Sequence, residues 1–331
     1  MNIKRISAAL FAVIILISAL SVTVFAAGAL DSATAQQLAK KMVAKTYIST
    51  TKYELNYRIY YSPTYSSANT DKPAMLILYF HGEGGKGNDN TAQLNEKGLL
   101  NQLVSDGADA LYKDFQYIIV APQCPAEESF TEESSESQTV PTQVMNAVME
   151  LAGEIEATEI ILEKHLVAGI GTGANAAFDY AARKTSKVNR LLTVGGSCTP
   201  AKVAQVYDVG VDFFAFAEES NTSIKNLSAS IKLLSDVTAP ITFVDGTFDD
   251  CLDYALSYTE PTIADWAIKD TYTSRRFKIS PSCNNEGGKI SASPARVTYG
   301  SGAKVTLTLN QGYAITKVTI NGVEKDASIC E

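Results

Sequence analysis

The stretch IILEKHLVAGIGTGANAAFDYAAR, residues 160–183, decides the fold. Residues 166–170 are a short apolar run, and Ala174, Ala177, Phe178 and Ala181 then recur at the spacing of one helical face. The pattern predicts a strand, a tight turn and a helix. The turn is Gly169-Ile170-Gly171-Thr172-Gly173. In a G-x-S-x-G turn of this kind the central residue stands at an exposed apex and carries an attacking oxygen. Here the apex is Gly171, which has no side chain to attack with. A glycine-rich turn is a weak signal alone, so its assignment rests on the segments around it.

Upstream, Tyr53, Leu55, Tyr57, Ile59 and Tyr61 alternate with Lys52, Glu54, Asn56, Arg58 and Tyr60, the period-two pattern expected of an antiparallel edge strand with one wet face. Residues 74–80 and 116–121 are almost wholly apolar, as strands buried on both faces of a parallel sheet are. The first runs into His81-Gly82-Glu83-Gly84-Gly85, a loop so poor in side chains that its N–H groups can approach a substrate oxygen. A helix is expected over residues 93–104. Another follows Pro141, with Val144, Val148, Leu151 and Ile155 on one face. Residues 127–137 hold five glutamates among serines and threonines and read as a solvated surface loop rather than a lid or calcium loop.

Downstream, strand-like runs at 190–194, 212–217 and 240–245 are interleaved with helical patterns near 200–207, 224–234 and 262–269. Strands alternating with helices predict an α/β fold with a doubly wound, mostly parallel sheet. From about residue 277 the texture changes to alternating Val, Thr and Leu between turn residues, which predicts a small all-β module.

The composition, 46% hydrophobic and 19% charged over 331 residues, fits a globular chain of one or two domains. Residues 1–27 read as an export signal: Lys4 and Arg5, an apolar run, then small residues before the expected cleavage point. No membrane span is expected after cleavage. Losing Lys4 and Arg5 takes the net charge from −8 to −10, which argues against nucleic acid as a partner. Five cysteines (Cys124, Cys198, Cys251, Cys283, Cys330) permit disulfides in an exported chain, but their spacing matches no metal motif, and no cofactor is expected. The expected organisation is a signal at 1–27, a leader at 28–51, a catalytic-type domain at 52–275 and the β module at 276–331.

Several segments in order carry a family resemblance: YELNYRIYYSPTY (53–65), MLILYFHGEGGKGNDN (75–90), YIIVAPQCP (117–125), HLVAGIGTGANAAFDYAAR (165–183), DDCLDYAL (249–256) and TIADWAIKD (262–270). Together they resemble the secreted esterases of the polyhydroxybutyrate-depolymerase and feruloyl-esterase-like branch of the α/β-hydrolases. The resemblance implies that the loop at His81 and Gly82 helps to form an oxyanion hole, with the Glu83 and Thr172 N–H groups as donors. Gly169 and Gly173 flank the nucleophile position in the same motif. His81 is expected to shape the loop and not to act as a base.

The same carry-over leaves every triad position vacated: Gly171 for the nucleophile, Ser220 for the acid with Glu218 or Glu219 one alignment step away, and Asp249 or Asp250 for the base. Only two histidines exist in the chain, His81 and His165, so no histidine follows position 165. A serine needs an adjacent base, and the base needs an orienting partner. Thr172, Ser197, Cys198 and Cys251 do not stand at the apex.

Residues 277–326, including GGKISASPARVTYGSGAKVTLTLNQGYAITKVTINGVEK, resemble the internalin-type bacterial repeats of surface proteins. Such repeats usually run longer, so this one is expected to be cut short. The sequence thus points to a secreted or cell-surface pseudo-esterase that binds a cell-wall or plant polysaccharide. The alternatives are an active feruloyl- or acetyl-type carboxylesterase rewired around Asp249 or Asp250, and a structural surface module.

Overall fold

Apolar runs in the chain become the middle of one sheet, and mixed segments become its rim. We describe the chain from a computed structural model, which covers residues 30–68, 72–131, 140–162, 165–196, 206, 211–222, 241–259, 261–269, 276–278, 281–283, 286–293, 296–298, 303–320 and 323–325. The chain divides into two compact units, residues 1–206 with 213–270, and residues 207–212 with 271–331. The division falls a few residues before the expected boundary.

The first unit opens with helix α1 (Ser32–Lys41), capped by Asp31, whose Oδ1 accepts from the Ala33 and Thr34 N–H groups at 3.0 Å. Strand β1 (Val43–Ile48) pairs antiparallel with β2 (Glu54–Tyr61). Next come β3 (Met75–Phe80), short helices α2 (Leu99–Leu103) and α3 (Asp106–Leu111), and β4 (Tyr117–Pro122). Helix α4 (Gln143–Thr158), β5 (His165–Ile170), α5 (Thr172–Arg183) and β6 (Val188–Val194) follow. Strand β7 (Asp212–Glu218, within this unit from Phe213 on), β8 (Ile241–Val244), α6 (Phe248–Ser257) and α7 (Ile263–Ile268) complete the unit.

The strands form an eight-stranded sheet in the order β1-β2-β4-β3-β5-β6-β7-β8. The pairs β3/β4, β3/β5, β5/β6 and β7/β8 are parallel, while β1/β2 and β2/β4 are antiparallel. All residues of β3, β4 and β5 are buried, as two-sided burial of a parallel strand requires. The face of α4 carrying Val144, Val148, Leu151 and Ile155 is buried too, and Thr142 caps that helix through its Oγ1 at 3.0 Å from Met145 N.

Three local expectations change. Strand β2 is not the edge: β1 covers it, so the segment expected as a separate leader supplies the outermost strand. The helix expected over 93–104 is broken into a 3-10 turn (Ala92–Leu94) and α2, with Gly98 N–H donating to Asn101 Oδ1 at 2.8 Å at the restart. The helices α3 and α6 were not expected. The patterns near 200–207 and 224–234, apart from Val206, together with residues 132–139 of the acidic stretch, Ser197, Cys198, Cys330 and the export signal, lie outside the described residues. Among the described residues, no helix is long and apolar enough to cross a membrane.

In the second unit β9 (Arg276–Lys278), β10 (Gly288–Ser293), β11 (Arg296–Thr298), β12 (Lys304–Leu309), β13 (Val318–Ile320) and β14 (Val323–Lys325) form antiparallel pairs β9/β11, β10/β12 and β13/β14. The expected all-β texture is present there.

Candidate functional site

Parallel pairing of β3 with β5, in a register that puts Phe80 opposite Gly169, brings the ends of both strands side by side. The loop after β3 and the turn after β5 are therefore neighbours at the carboxyl end of the sheet, the usual place for ligands in such folds. Gly173, in the first turn of α5, locks the two together: a Cβ there would lie 2.3 Å from both the Phe80 and the His81 carbonyl oxygens. Gly169 is constrained by the same contact, since its Cβ would lie 2.1 Å from Gly173 O.

Gly171 sits at φ 51° and ψ −122°, between the last residue of β5 and the first of α5. Its N–H donates to Val194 O at 2.9 Å and its carbonyl accepts from Ala174 N at 3.0 Å, so the sharp turn is anchored on both sides. A residue with a Cβ is strained in this region of backbone space. Gly171→Ala and Gly171→Ser are each expected to cost about 1–3 kcal/mol of stability. A lower urea midpoint at unchanged slope is the measurement; a neutral effect of both changes would show that the turn stores no strain.

His81 is 1% exposed and uses both ring nitrogens. Nε2 accepts from the Cys124 N–H at 2.9 Å, which leaves Nδ1 protonated, 2.6 Å from Gly82 O as a donor. Burial lowers its pKa to about 4, so the ring is neutral and serves as a strut between the loop and the segment that follows β4. His165 begins β5, at the opposite end of the sheet from Gly171. It is fully buried, its Nε2 stands 3.0 Å from Glu156 Oε1, and burial likewise holds its pKa near 4. Neither ring can reach the apex as a base.

Glu83 opens a 3-10 turn (Glu83–Gly85) and pairs with Lys86 at 2.7 Å. Among the described residues, no turn, cap or side-chain hydrogen bond consumes the Glu83 or Thr172 N–H. The two amides named from the sequence as oxyanion donors are thus unengaged, one on the loop and one at the start of α5.

At the acid position the structure places Ser220 out in an exposed turn, where it can orient nothing, because β7 already ends at Glu218. Glu218 is the residue that turns inward. Its Oε2 is buried without a hydrogen-bond partner among the described residues and would stand 3.8 Å from a Cβ on Gly195. At the base position Asp249 is exposed on the first turn of α6. Asp250 is spent on capping that helix: its Oδ2 accepts from Thr247 N at 2.8 Å and Oγ1 at 2.7 Å, bonds that lower its pKa. Phe248 fills the inward space instead, with its ring edge 2.6 Å from where a Gly195 Cβ would be.

Cys124 and Cys251 are both free and wholly buried, and burial raises each thiol to about 12, far from a reactive thiolate. Cys283 is also free. Among the described residues there is no cluster of metal-ligating side chains. The residue that sequence reading missed is Glu96, a buried carboxyl aimed at the loop after β3. It falls within the stretch expected to be a helix, where it reads as part of a polar face. The signal that could have found it is the break that Gly98 makes.

No protein-family model and no curated protein matches the amino-acid sequence. Solved structures do match in shape. A thermostable esterase superposes with a TM-score of 0.57 at 16% identity, over 70% of this chain and 63% of that chain. The chain therefore spans a little under two thirds of that esterase. A ferulic acid esterase (TM-score 0.45, 13% identity, 64% of this chain and 93% of that chain) and the feruloyl esterase module from Clostridium thermocellum (0.44, 13%, 70% and 91%) also match. The likeness is one of fold, the mostly parallel α/β-hydrolase arrangement of the thermostable esterase.

Proposed function

We propose that this chain is an exported protein of esterase fold that binds its ligand without hydrolysing it, the ligand being a cell-wall or plant polysaccharide. The observation that carries the reading is Gly171 at the apex of an otherwise intact elbow. The placement of the two histidines supports it: His81 has both ring nitrogens engaged, and His165 is buried at the opposite end of β5 from Gly171. The polysaccharide rests on the resemblance of residues 53–270 to secreted feruloyl-type esterases, and the surface location on the resemblance of residues 277–326 to internalin-type repeats. Glu218 is read as the surviving acid, left with a buried oxygen and no imidazole to orient.

A fluorophosphonate probe tests the catalytic half, because it reports an activated hydroxyl whatever the natural substrate. No labelling of the full chain is expected; stoichiometric modification of any serine or threonine would overturn the reading. Retention on insoluble xylan or peptidoglycan tests the binding half, and a failure to be retained on either would favour a purely structural surface module. Ester turnover that falls in Asp249→Ala or Asp250→Ala would instead establish a rewired carboxylesterase.

A further inference from the structure

Strand β1 lies at one end of the eight-stranded sheet and, among the described residues, pairs only with β2. An antiparallel ladder turns the N–H and C=O groups of alternate residues toward the neighbour and those of the rest away from it. Two contacts fix which are which. The Ser49 N–H donates to Tyr53 O at 2.9 Å, and Asn90 Nδ2 donates to Lys45 O at 2.9 Å and to Tyr57 O at 3.1 Å, which puts those two carbonyls side by side between the strands. With Val43 opposite Ile59, Lys45 opposite Tyr57 and Tyr47 opposite Leu55, the odd-numbered residues of β1 bond to β2. Ala44, Thr46 and Ile48 turn their main-chain groups outward, and among the described residues no backbone partner takes them. All three are exposed, Ile48 by 49%.

A row of unpaired backbone groups is a template for another strand, and edges that avoid pairing are blunted by proline, bulges or charge. Strand β1 has no proline, its pairing with β2 runs without a shift of register, and its one charged residue is Lys45. We propose that β1 pairs antiparallel with β1 of a second copy of this chain, about a twofold axis through Thr46, so that the two sheets become one. In that register Thr46 meets Thr46 of the second copy and Ala44 meets Ile48 of the second copy. Every outward residue then meets an outward residue, and each pair exchanges both of its bonds. A slip of one residue would set outward groups opposite inward ones and lose the ladder. An axis through Lys45 would lose the pairs made by Ile48 and set two lysines directly opposite, which is unfavourable.

The axis through Thr46 sets Lys45 opposite Tyr47 of the second copy instead. Tyr47 lies on the face toward α4: its hydroxyl donates to Glu150 Oε2 at 3.4 Å, and Glu154 is close enough to help raise its pKa, after burial. The one cation of each strand therefore comes against the acidic side of α4 in the other copy. On the opposite face Ile48 is covered by Ala44. The same patch serves both copies, as a closed twofold contact requires. Edge pairing of two six-residue strands is at the small end of interface sizes, so the dimer is reversible, with a dissociation constant on the order of tens of micromolar. This inference does not depend on whether the elbow is catalytically dead.

The experiment is sedimentation of the full chain over a series of concentrations spanning that constant. The average mass of the unmodified chain is expected to rise from that of the monomer toward twice that value. Thr46→Pro removes the central outward N–H at a position where an edge strand tolerates proline. It is expected to stay monomeric throughout, with the melting temperature of the unmodified chain in dilute solution. Lys45→Glu is expected to raise the dissociation constant about tenfold, by replacing two attractive contacts with repulsive ones. The axis also brings the Cα atoms of the Thr46 pair to about 5.5 Å, within disulfide range. Mild oxidation is therefore expected to link Thr46→Cys into dimers well ahead of Lys45→Cys. A mass that never rises, a rise that Thr46→Pro leaves unchanged, an unaltered constant in Lys45→Glu, or equal linking of the two cysteine variants would each overturn the proposal. If Thr46→Pro does not fold, Lys45→Glu and the cysteine variants decide.

Discussion

Gly171→Ser, made alone, is expected to leave turnover of an activated acyl ester at the level of the unmodified chain. The new hydroxyl would stand at the apex, but a serine is a weak nucleophile until a base takes its proton. The chain has two histidines. One has its acceptor nitrogen filled by the Cys124 N–H, and the other lies at the far end of β5. In subtilisin, loss of the base alone costs about as much as loss of the whole triad, on the order of 10⁶ in turnover. The single variant is expected to fall short of an intact esterase by a factor of that order. Steady-state hydrolysis of p-nitrophenyl acetate, corrected for the background of a denatured sample, measures it. Turnover far above that background would reveal a base that the two histidines do not supply. The geometry also revises what a reconstruction requires. Ser220 is exposed and Glu218 already faces inward, so on the proposed reading a reconstruction would need, besides the nucleophile, an imidazole in the region of Phe248 and Asp249.

Gly173→Ala is expected to have the largest effect on stability of any single methyl addition in the sheet-facing helix. Its Cβ would come within 2.3 Å of two carbonyl oxygens, those of Phe80 and His81. Both belong to main chain that cannot swing aside: Phe80 ends a fully buried strand, and His81 is pinned by its ring to Gly82 and Cys124. Relief requires α5 to move off the sheet, opening contacts made by Ala174, Ala177 and Phe178. Overpacking of this kind costs upward of about 3 kcal/mol. Gly153→Ala is the control. It lies in α4, exposed, with nothing within 4 Å of its added methyl, and is expected to gain about 0.5–1 kcal/mol from helix propensity. Urea midpoints of the two variants should move in opposite directions; a Gly173→Ala midpoint equal to that of the unmodified chain would refute the close approach of α5 to β3.

Much of the fold was legible because β3, β4 and the stretch around Gly171 carry patterns that only one kind of structure satisfies. Uniform apolarity requires burial on both faces, and a glycine flanked by strand and helix periodicities requires a sharp turn. What could not be read depends on partners distant in sequence. The run VAKTYI in β1 is mostly exposed and has no alternation to reveal it; pairing with β2 makes it a strand. The break after Leu94 accompanies Glu96 turning inward to the Gly82 amide, fourteen residues back along the chain, which no local periodicity records. At the end of β7 the residue that faces the site depends on where pairing stops, and that choice separates Glu218 from Ser220. The histidine count and the glycine at the apex needed no structure at all.

On the proposed reading, in which a glycine replaced a serine at position 171, the backbone there gives that change a direction in evolutionary time. Serine and glycine codons can differ by a single base, so either residue arises readily from the other by mutation. The two journeys are unequal. Serine to glycine relaxes a left-handed backbone and is favoured by stability once turnover no longer matters. Glycine to serine restores the strain at once, while any catalytic advantage waits on a second and separate change that supplies an imidazole. The step back to serine is therefore selected against until the imidazole is in place, and the imidazole brings no catalytic advantage until the serine is. The elbow works as a ratchet: a lineage that has reached glycine here tends to keep both the shape of the turn and the absence of the nucleophile.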